Sequence, residues 1–478
     1  MSRMRGTAMS EISLRTGVWH EEQCITLRFP ETWDVKVLWP KTPPALSYSQ
    51  IRQSLEHPVG QAPFHELCRK KSNPLIIVDD PNRPTPAARV LPFLLRLFRQ
   101  RGISASSVRI LIATGTHAAP LPATVLKKIG PEAFATCRVM VHDAYQDLAK
   151  LGRTSFGTPV EVNREVLRSD LVIGIGGIYP NHTAGYGGGS KLALGVLGFR
   201  SIRHLHYGHT AAGWSNSGQE TSFRQDLDEI CKAIRLNTMV SLQVNADREV
   251  VRVDCGDPFR YYDNAVAFCR DTFGVPGPSN ADVVVSNAFP NDLSLTFASM
   301  KGMMPFYHCS PGVSRIAIAS CSEGIGDHVL YPLVGRPWVS RQYQWALRLG
   351  IMGPQQAARK LAARMACEVR RRVGRTYKDG GNGSDGHSVC QNKLWLYRPG
   401  EHLEDLPPRI ASIRIVKSWD EILRAVTMEQ NGRTRIKALV YPCAPLQAVG
   451  AQAAVPTQNP AAERGLSDES ERWFKAAR

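Results

Sequence analysis

The sequence predicts an α/β protein of two lobes, each a mainly parallel sheet flanked by helices, and three observations carry that prediction. Short apolar runs rich in β-branched residues alternate with longer stretches of helical period, the pattern of parallel α/β construction. The alternation restarts after Pro276-Gly277-Pro278, a stiff, hinge-like tripeptide. At 478 residues the chain also exceeds what one ordinary core accommodates, so more than one domain is expected.

In chain order, Pro74–Val78 reads as the first buried strand, and Ala87–Arg101 as a helix with Leu91, Leu94, Leu95 and Phe98 on one face. Val108–Ile112, Leu171–Ile173 and Met239–Val244 read as further strands, and Pro258–Phe273 as a helix. Beyond the hinge, Ala281–Ser286 and Val313–Ala319 are strands of the second lobe. The expected domains are an N-terminal α/β domain over 1–275 and a C-terminal α/β domain over 276–446. The latter carries a basic helical insertion near 331–375 and a flexible glycine loop near 380–387. Within the insertion, Trp338 and Trp345 are read as packing residues rather than ligand contacts. Ala, Pro, Gln and Glu dominate the end of the chain, so 447–478 reads as a disordered tail.

A hydrophobic content of 43% and a charged content of 21% fit a globular chain. The formal charge of +17 is partly local, since Arg359–Arg375 holds seven cations against Glu368 alone. With no RNA-reading signature, basic heptad or zinc finger in view, the excess reads as a basic surface and a site for anionic substrates rather than a nucleic-acid interface. No run of eighteen apolar residues suggests a membrane span. Arg3 and Arg5 are not followed by an apolar segment, so no secretory signal is expected. The eleven cysteines are odd in number and include no Cys-x-x-Cys, which reads as scattered thiols of a reducing, cytoplasmic compartment.

The chemistry collects in three polar clusters, each immediately after a predicted strand. They are Asp79-Asp-Pro-Asn-Arg-Pro-Thr-Pro86, Thr114-Gly-Thr-His117 and Gly174-Ile-Gly-Gly-Ile-Tyr-Pro-Asn-His182. Ligands of open parallel sheets bind beyond the carboxyl ends of strands, so these distant loops can meet in one crevice. Three prolines stiffen the first, carrying Asp80 and Arg83 either as an anion clamp or as a surface ion pair. His117 follows Gly115 and reads either as a base or as a packed imidazole.

Glycines at 174, 176, 177, 185, 187, 188, 189 and 195 make the third region the least bland part of the chain. Such a run lets backbone amides approach an anion. Ser190 precedes Lys191, so the nucleotide P-loop order is not met, and Tyr179 breaks the dinucleotide fingerprint. What remains is an anion cradle ending in a lysine that can serve as charge, base or covalent attachment point. Downstream lie His204, His206 and His209, of which His206 and His209 can share a helix face.

Asp80-Pro-Asn-Arg83-Pro-Thr-Pro, Gly115-Thr-His117, Ala184-Gly-Tyr-Gly-Gly-Gly-Ser-Lys191, Ser286-Asn287 and Lys301-Gly-Met together resemble the nickel-dependent lactate racemase family. Cys321-Ser-Glu-Gly-Ile-Gly326 resembles that family's C-terminal lobe. The resemblance spans about residues 70–330. It implies an isomerase with a nickel pincer nucleotide, a pyridinium-3,5-bisthiocarboxylic acid mononucleotide, bound covalently to Lys191. His206 is implied as the protein's nickel ligand, completing a site with one carbon and two sulfur donors. Gly187, Gly188, Gly189 and Ser190 would cradle the cofactor, with Asn181 beside it. The implied reaction removes a hydride from C2 of a 2-hydroxy acid and returns it to the opposite face.

His117 matches one of the family's two bases. At the other, the family's Pro-His-x-x-Ala-Gly is Pro180-Asn-His-Thr-Ala-Gly185 here, so either His182 reaches in through a shifted loop or the second base differs. Arg83 and Lys301 match residues that hold the substrate carboxylate, and Asp80 a neighbour that orients the site. Ala298 stands where the family has Gln, so lactate itself is not assumed.

The expectation is therefore a 2-hydroxy-acid racemase or epimerase with its site in the cleft between lobes. It would act on a small-molecule substrate and depend on cofactor-biosynthesis proteins. The alternatives are a nucleotide-dependent phosphotransferase on the glycine loop, and a non-catalytic relative that retains the pocket.

Overall fold

The computed structural model describes residues 10–209, 221–326, 328, 394–400, 405–410, 412–430, 433 and 435–450. Two mainly parallel sheets dominate it. The first has six strands in the order Val250–Gly256, Thr238–Val244, Leu171–Gly176, Pro74–Asp79, Arg109–Ala113 and Arg138–Val141. Within this sheet only Val250–Gly256 runs antiparallel.

Pro74–Asp79 is buried at every position, as a strand is when both sheet faces are covered. The period of two deals its side chains to opposite sides. Ile76 and Val78 join Ile110, Ile112 and Ile173 in the core formed with the helix Leu91–Gln100. Leu75, Ile77, Leu111 and Val172 pack on the other face with Ile202, Leu205, Leu227 and Phe273.

Two helices start later than their apolar period suggests. The segment from Ala87 opens as a 3₁₀ turn over Ala87–Arg89 and becomes α-helical only from Leu91. Pro92 lacks an N–H and so belongs in a helix's first turn. The second helix runs Tyr262–Phe273 rather than from Pro258, because the Asp257 carboxylate accepts the N–H groups of Phe259 and Arg260 and turns the chain first.

The second sheet has seven strands in the order Arg409–Ile410, Ile413–Val416, Leu394–Tyr397, Ser314–Ile318, Val283–Asn287, Ile436–Tyr441 and Trp33–Val37. Val283, Val285, Ile316 and Ile318 pack with Trp419, Ile422 and Val426 of the helix Trp419–Glu429, while Val284, Ala317 and Leu396 face another core. Sheet membership does not follow chain order, since Trp33–Val37 pairs in parallel with Ile436–Tyr441.

An N-terminal hairpin, Ser10–Thr16 with Gln23–Phe29, bridges the two sheets through its turn. Asp292 is fully buried and accepts from the Thr16 hydroxyl (2.9 Å) and the N–H groups of Gly17 (2.8 Å), Val18 (3.1 Å) and Ser320 (3.3 Å). On the other side of the turn, the Trp19 indole N–H donates to the Pro81 carbonyl at 2.7 Å.

Order extends past the point where a tail was expected to begin. Gln447 is buried and donates to the Leu38 carbonyl at 2.7 Å, and Ala448–Val449 pair with Gly274–Val275. Composition misplaced that boundary because a few tertiary hydrogen bonds suffice to fix polar residues. The remaining stretch 451–478, the basic segment 331–375 with Trp338 and Trp345, and the loop 380–387 lie outside the described residues. Among the described residues no helix is long and apolar enough to cross a membrane.

Replacing Asp292 leaves four donors without their acceptor in a dry site. Asp292→Ala is expected to lower unfolding free energy by about 3 kcal/mol. Urea titration measures this, and an unchanged midpoint would show that the turn docks by other means.

Candidate active site

The loops after Pro74–Asp79, Arg109–Ala113 and Leu171–Gly176 meet around a cavity of about 990 Å³, part of it open to solvent. From the glycine-rich region come Gly187, Gly188 and Lys191; the helix Phe199–Gly208 contributes His206; and Phe297, Met300, Lys301 and His328 complete the lining. Asp80, Arg83, His117, Asn181 and His182 all line the same space.

Asp80 and Arg83 are not the surface ion pair that a turn could have held. Asp80 is buried, its Oδ1 accepts the backbone N–H and side-chain amide of Asn82, and its Oδ2 meets Nδ1 of His117. Burial opposes the charged carboxylate. The His117 charge and hydrogen bond, Arg83 and the Asn82 N–H outweigh it and hold Asp80 below the usual carboxylate range.

The loop carrying these residues is fixed from beneath by a buried pair. Lys128 has no exposed side-chain surface, forms an ion pair with Asp79 at 2.7 Å, and donates to the carbonyls of Arg83 and Thr85 at 3.1 Å each. The other Asp79 oxygen accepts from the hydroxyls of Thr85 (2.7 Å) and Tyr179 (3.1 Å). Sequence reasoning missed Lys128, yet a signal was present. It sits in the helix Pro122–Ile129 in step with the buried Thr124, Val125 and Ile129, a core position that charge normally avoids.

The glycine loop is shaped by Arg224, which carried no sequence signal. Its guanidinium donates to the carbonyls of Gly188 (3.0 Å), Ala184 (3.4 Å) and Tyr186 and to the Ser190 hydroxyl (3.2 Å), and lies 4.3 Å from the Tyr262 ring centroid. Gly188 (φ +72°) and Gly189 (φ +55°) adopt left-handed backbone, and a Cβ on Gly189 would come within 2.8 Å of Tyr262.

Gly189 and Ser190, expected in the cradle, are engaged by the fold itself. The Gly189 N–H donates to the Tyr261 hydroxyl at 3.2 Å, Ser190 turns to Arg224, and neither lines the cavity. Sequence spacing could not show which glycine amides the fold itself consumes.

Asn181 lines the cavity as a turn former. Its Oδ1 accepts the N–H groups of Thr183 (3.0 Å) and Ala184 (3.1 Å) and the Thr183 hydroxyl (2.6 Å). Of the three downstream imidazoles only His206 faces the cavity. His204 bonds the Thr158 hydroxyl, and His209 bonds Asp226 and Ser222. Nδ1 of His206 lies 2.7 Å from the Ile202 carbonyl. A carbonyl only accepts, so Nδ1 carries the proton and Nε2 keeps the lone pair.

Burial and neighbouring cations then set the site's electrostatics. Burial, together with Lys301, Arg224 and Arg83, pushes Lys191 well below the ordinary lysine range; burial and Arg83 do the same to Lys301. Burial and then Lys301 and Lys191 push His182 well below the usual histidine range, and burial with Lys191 brings His206 to about 3. Lys301 rides on a π-turn, Ala298–Gly302, whose Gly302 carbonyl accepts from the Ser286 hydroxyl at 2.5 Å. Single π-turns inside helices often mark functional positions.

Two measurements check this architecture. Lys128→Met leaves Asp79 buried without its counter-ion and should cost roughly 3–5 kcal/mol. Adding Asp79→Asn should recover most of that loss in chemical denaturation; equal instability of single and double variants would show that the two residues do not act as a pair. Asp80, with a depressed native pKa, contributes stability that is present above its unfolded value of about 4 and lost as pH falls through the native one. Unfolding titrations between about pH 5 and pH 2 should show that acid loss in the wild type and a flatter profile in Asp80→Asn.

Residues 20–218 match the lactate racemase N-terminal domain. Lactate racemase of Thermoanaerobacterium thermosaccharolyticum is 26% identical over 291 residues, covering 59% of this chain and 67% of that protein. The corresponding values for lactate racemase of Lactiplantibacillus plantarum are 25% over 290 residues, 59% and 68%. In fold, the chain is similar to the lactate racemase apoprotein of T. thermosaccharolyticum, with a TM-score of 0.65 at 21% identity over 92% of this chain and all of that one. A Thermotoga maritima protein structure matches with a TM-score of 0.57 at 16% identity, over 86% of this chain and 99% of that one. The chain is thus similar to lactate racemases in sequence over its N-terminal part, and shares the fold of a lactate racemase across most of its length.

Proposed function

We propose that this protein is an isomerase, a racemase or epimerase of a 2-hydroxy acid that works through a nickel pincer nucleotide held on Lys191. The observation that carries the reading is the convergence of Lys191, Nε2 of His206, three further imidazoles, Arg83 and Lys301 on one cavity.

The residues present fit such a cofactor. Burial and neighbouring cations disfavour the charged form of Lys191, which favours the nucleophilic free amine that thioamide attachment would need. Among the described residues no cluster of three or more His, Cys, Asp or Glu side chains is placed to hold a metal. His206 would therefore be one protein donor beside those of the cofactor, and Nε2 is the atom for it. Gly187, Gly188 and Asn181 would border the cofactor, and the cationic lining suits its phosphate. When bound, this cofactor supplies the acceptor for a hydride from C2.

The chain's own groups do the rest. Arg83 and Lys301 hold the substrate carboxylate, which fixes C2 and its hydroxyl in the cavity. Asp80 orients His117 through Nδ1, so His117 takes and returns the hydroxyl proton at Nε2. His182 is the candidate for the opposite side, because Asn181 has no basic capacity and its carbonyl oxygen serves a turn. Ala298 is buried where a longer polar side chain was expected, so we assign the class of 2-hydroxy acids rather than lactate.

The phosphotransferase alternative loses ground because Gly189 and Ser190 are committed to Tyr261 and Arg224. All nine described cysteines are unbridged, which supports the cytoplasmic reading, with cofactor-making proteins as partners.

Protein produced with the cofactor-making enzymes should gain one nickel and an added mass on Lys191. Lys191→Ala should lose both, and racemisation should fall to background. His206→Ala should keep the mass but bind nickel at least about 100-fold more weakly. Intact mass spectrometry with metal analysis decides it: active wild-type protein lacking both adduct and nickel sinks the reading.

A further inference from the structure

The cavity contains one imidazole more than the sequence pattern assigns. His328 is 6% exposed and lines the cavity from the segment that follows the second-sheet strand Ser314–Ile318. Its ring centroid lies 4.8 Å from that of His117, with the planes tilted by 50°. A backbone bridge pairs the two residues in antiparallel fashion, so main chain as well as side chain fixes the contact. Phe297 packs edge-on against His117 at 4.7 Å and lies 6.0 Å from His328, walling the pair on a third side.

A buried imidazole with only a packing role is as well served by an apolar ring. This one is instead set among polar groups. Asp80 holds Nδ1 of His117, and Arg83, His206 and His182 lie within electrostatic range of His328. Burial, then His117 and these neighbours, keep His328 well below the usual histidine range. It therefore adds no charge to a lining that already holds Arg83, Lys191 and Lys301.

We propose that His328 is a positioning and charge-sharing residue for His117, the two imidazoles forming one proton-handling unit on one side of the cavity. The inference rests on the racemase reading above. The substrate O–H bond breaks, and its proton goes to Nε2 of His117. The O–H electron pair would complete the C2 carbonyl as a hydride departed from C2, for which the bound cofactor would supply the acceptor, and the return would run these changes backwards. His328 lies against the ring that becomes cationic in that step. With Nδ1 of His117 on Asp80 and Nε2 on the substrate, its neutral imidazole eases that charge through the ring contact and adds none of its own.

His328→Phe keeps a ring of similar size and removes both nitrogens, while His328→Gln restores a polar group. In protein carrying the Lys191 adduct, His328→Phe should lower kcat about 10- to 100-fold with KM within about threefold, and His328→Gln should recover part of the loss. A kcat within about twofold of wild type in His328→Phe, or a raised KM with unchanged kcat, overturns the proposal. A second readout does not depend on turnover. The ring-nitrogen NMR shifts of His117 in cofactor-free protein at fixed pH should move in His328→Phe. If the loaded wild type racemises no 2-hydroxy acid, the racemase reading fails by itself, and unmoved His117 shifts would then overturn the pair as well.

Discussion

Arg83, Lys191 and Lys301 face one cavity, and the nearby Asp80 is committed to His117. Much of the site's chemistry depends on that charge imbalance. Burial and mutual repulsion disfavour the charged forms of both lysines, and the same field keeps His182 and His206 neutral. A neutral amine is a nucleophile and a neutral imidazole retains a lone pair, so one electrostatic cause prepares three groups at once. It also favours a ligand that brings negative charge, whether phosphate or carboxylate.

Charged side chains outside the cavity make this arrangement sustainable by bonding to backbone carbonyls. Lys128 ties down the carbonyls of Arg83 and Thr85 while neutralising Asp79, and Arg224 gathers those of the glycine loop. Both hold irregular backbone by adding side-chain donors to carbonyls of turns and loops. The turn of the N-terminal hairpin adds a third tie, linking Asp292 beside the second sheet to Pro81 beside the first. Stiff loops are thereby held against one another without the regular ladder that orders the strands.

The first sheet was legible because its strands are buried on both faces. Pro74–Asp79, Arg109–Ala113, Leu171–Gly176 and Thr238–Val244 read as short β-branched runs, since that is what a covered parallel strand must be. Trp33–Val37 was not legible. Its alternating buried and partly exposed residues suit an edge strand, and its partner Ile436–Tyr441 lies some four hundred residues away in the chain. The late helix starts at Leu91 and Tyr262 were hidden for another reason, because a local turn competes with the helix while the apolar period runs through both.

The glycine-rich segment and the polar clusters behind three strands pointed to a ligand crevice from sequence alone. Residue type limits backbone reach, nucleophilicity and charge before any fold is known. Tertiary structure alone decided which of those groups face the ligand space. It turned Gly189 and Ser190 to Tyr261 and Arg224, set His206 but not His204 or His209 against the cavity, and brought His328 against His117 across more than two hundred residues. The reason is physical: a donor or ring is committed by whichever partner packing places within hydrogen-bond or van der Waals reach. Spacing along the chain does not encode that partner.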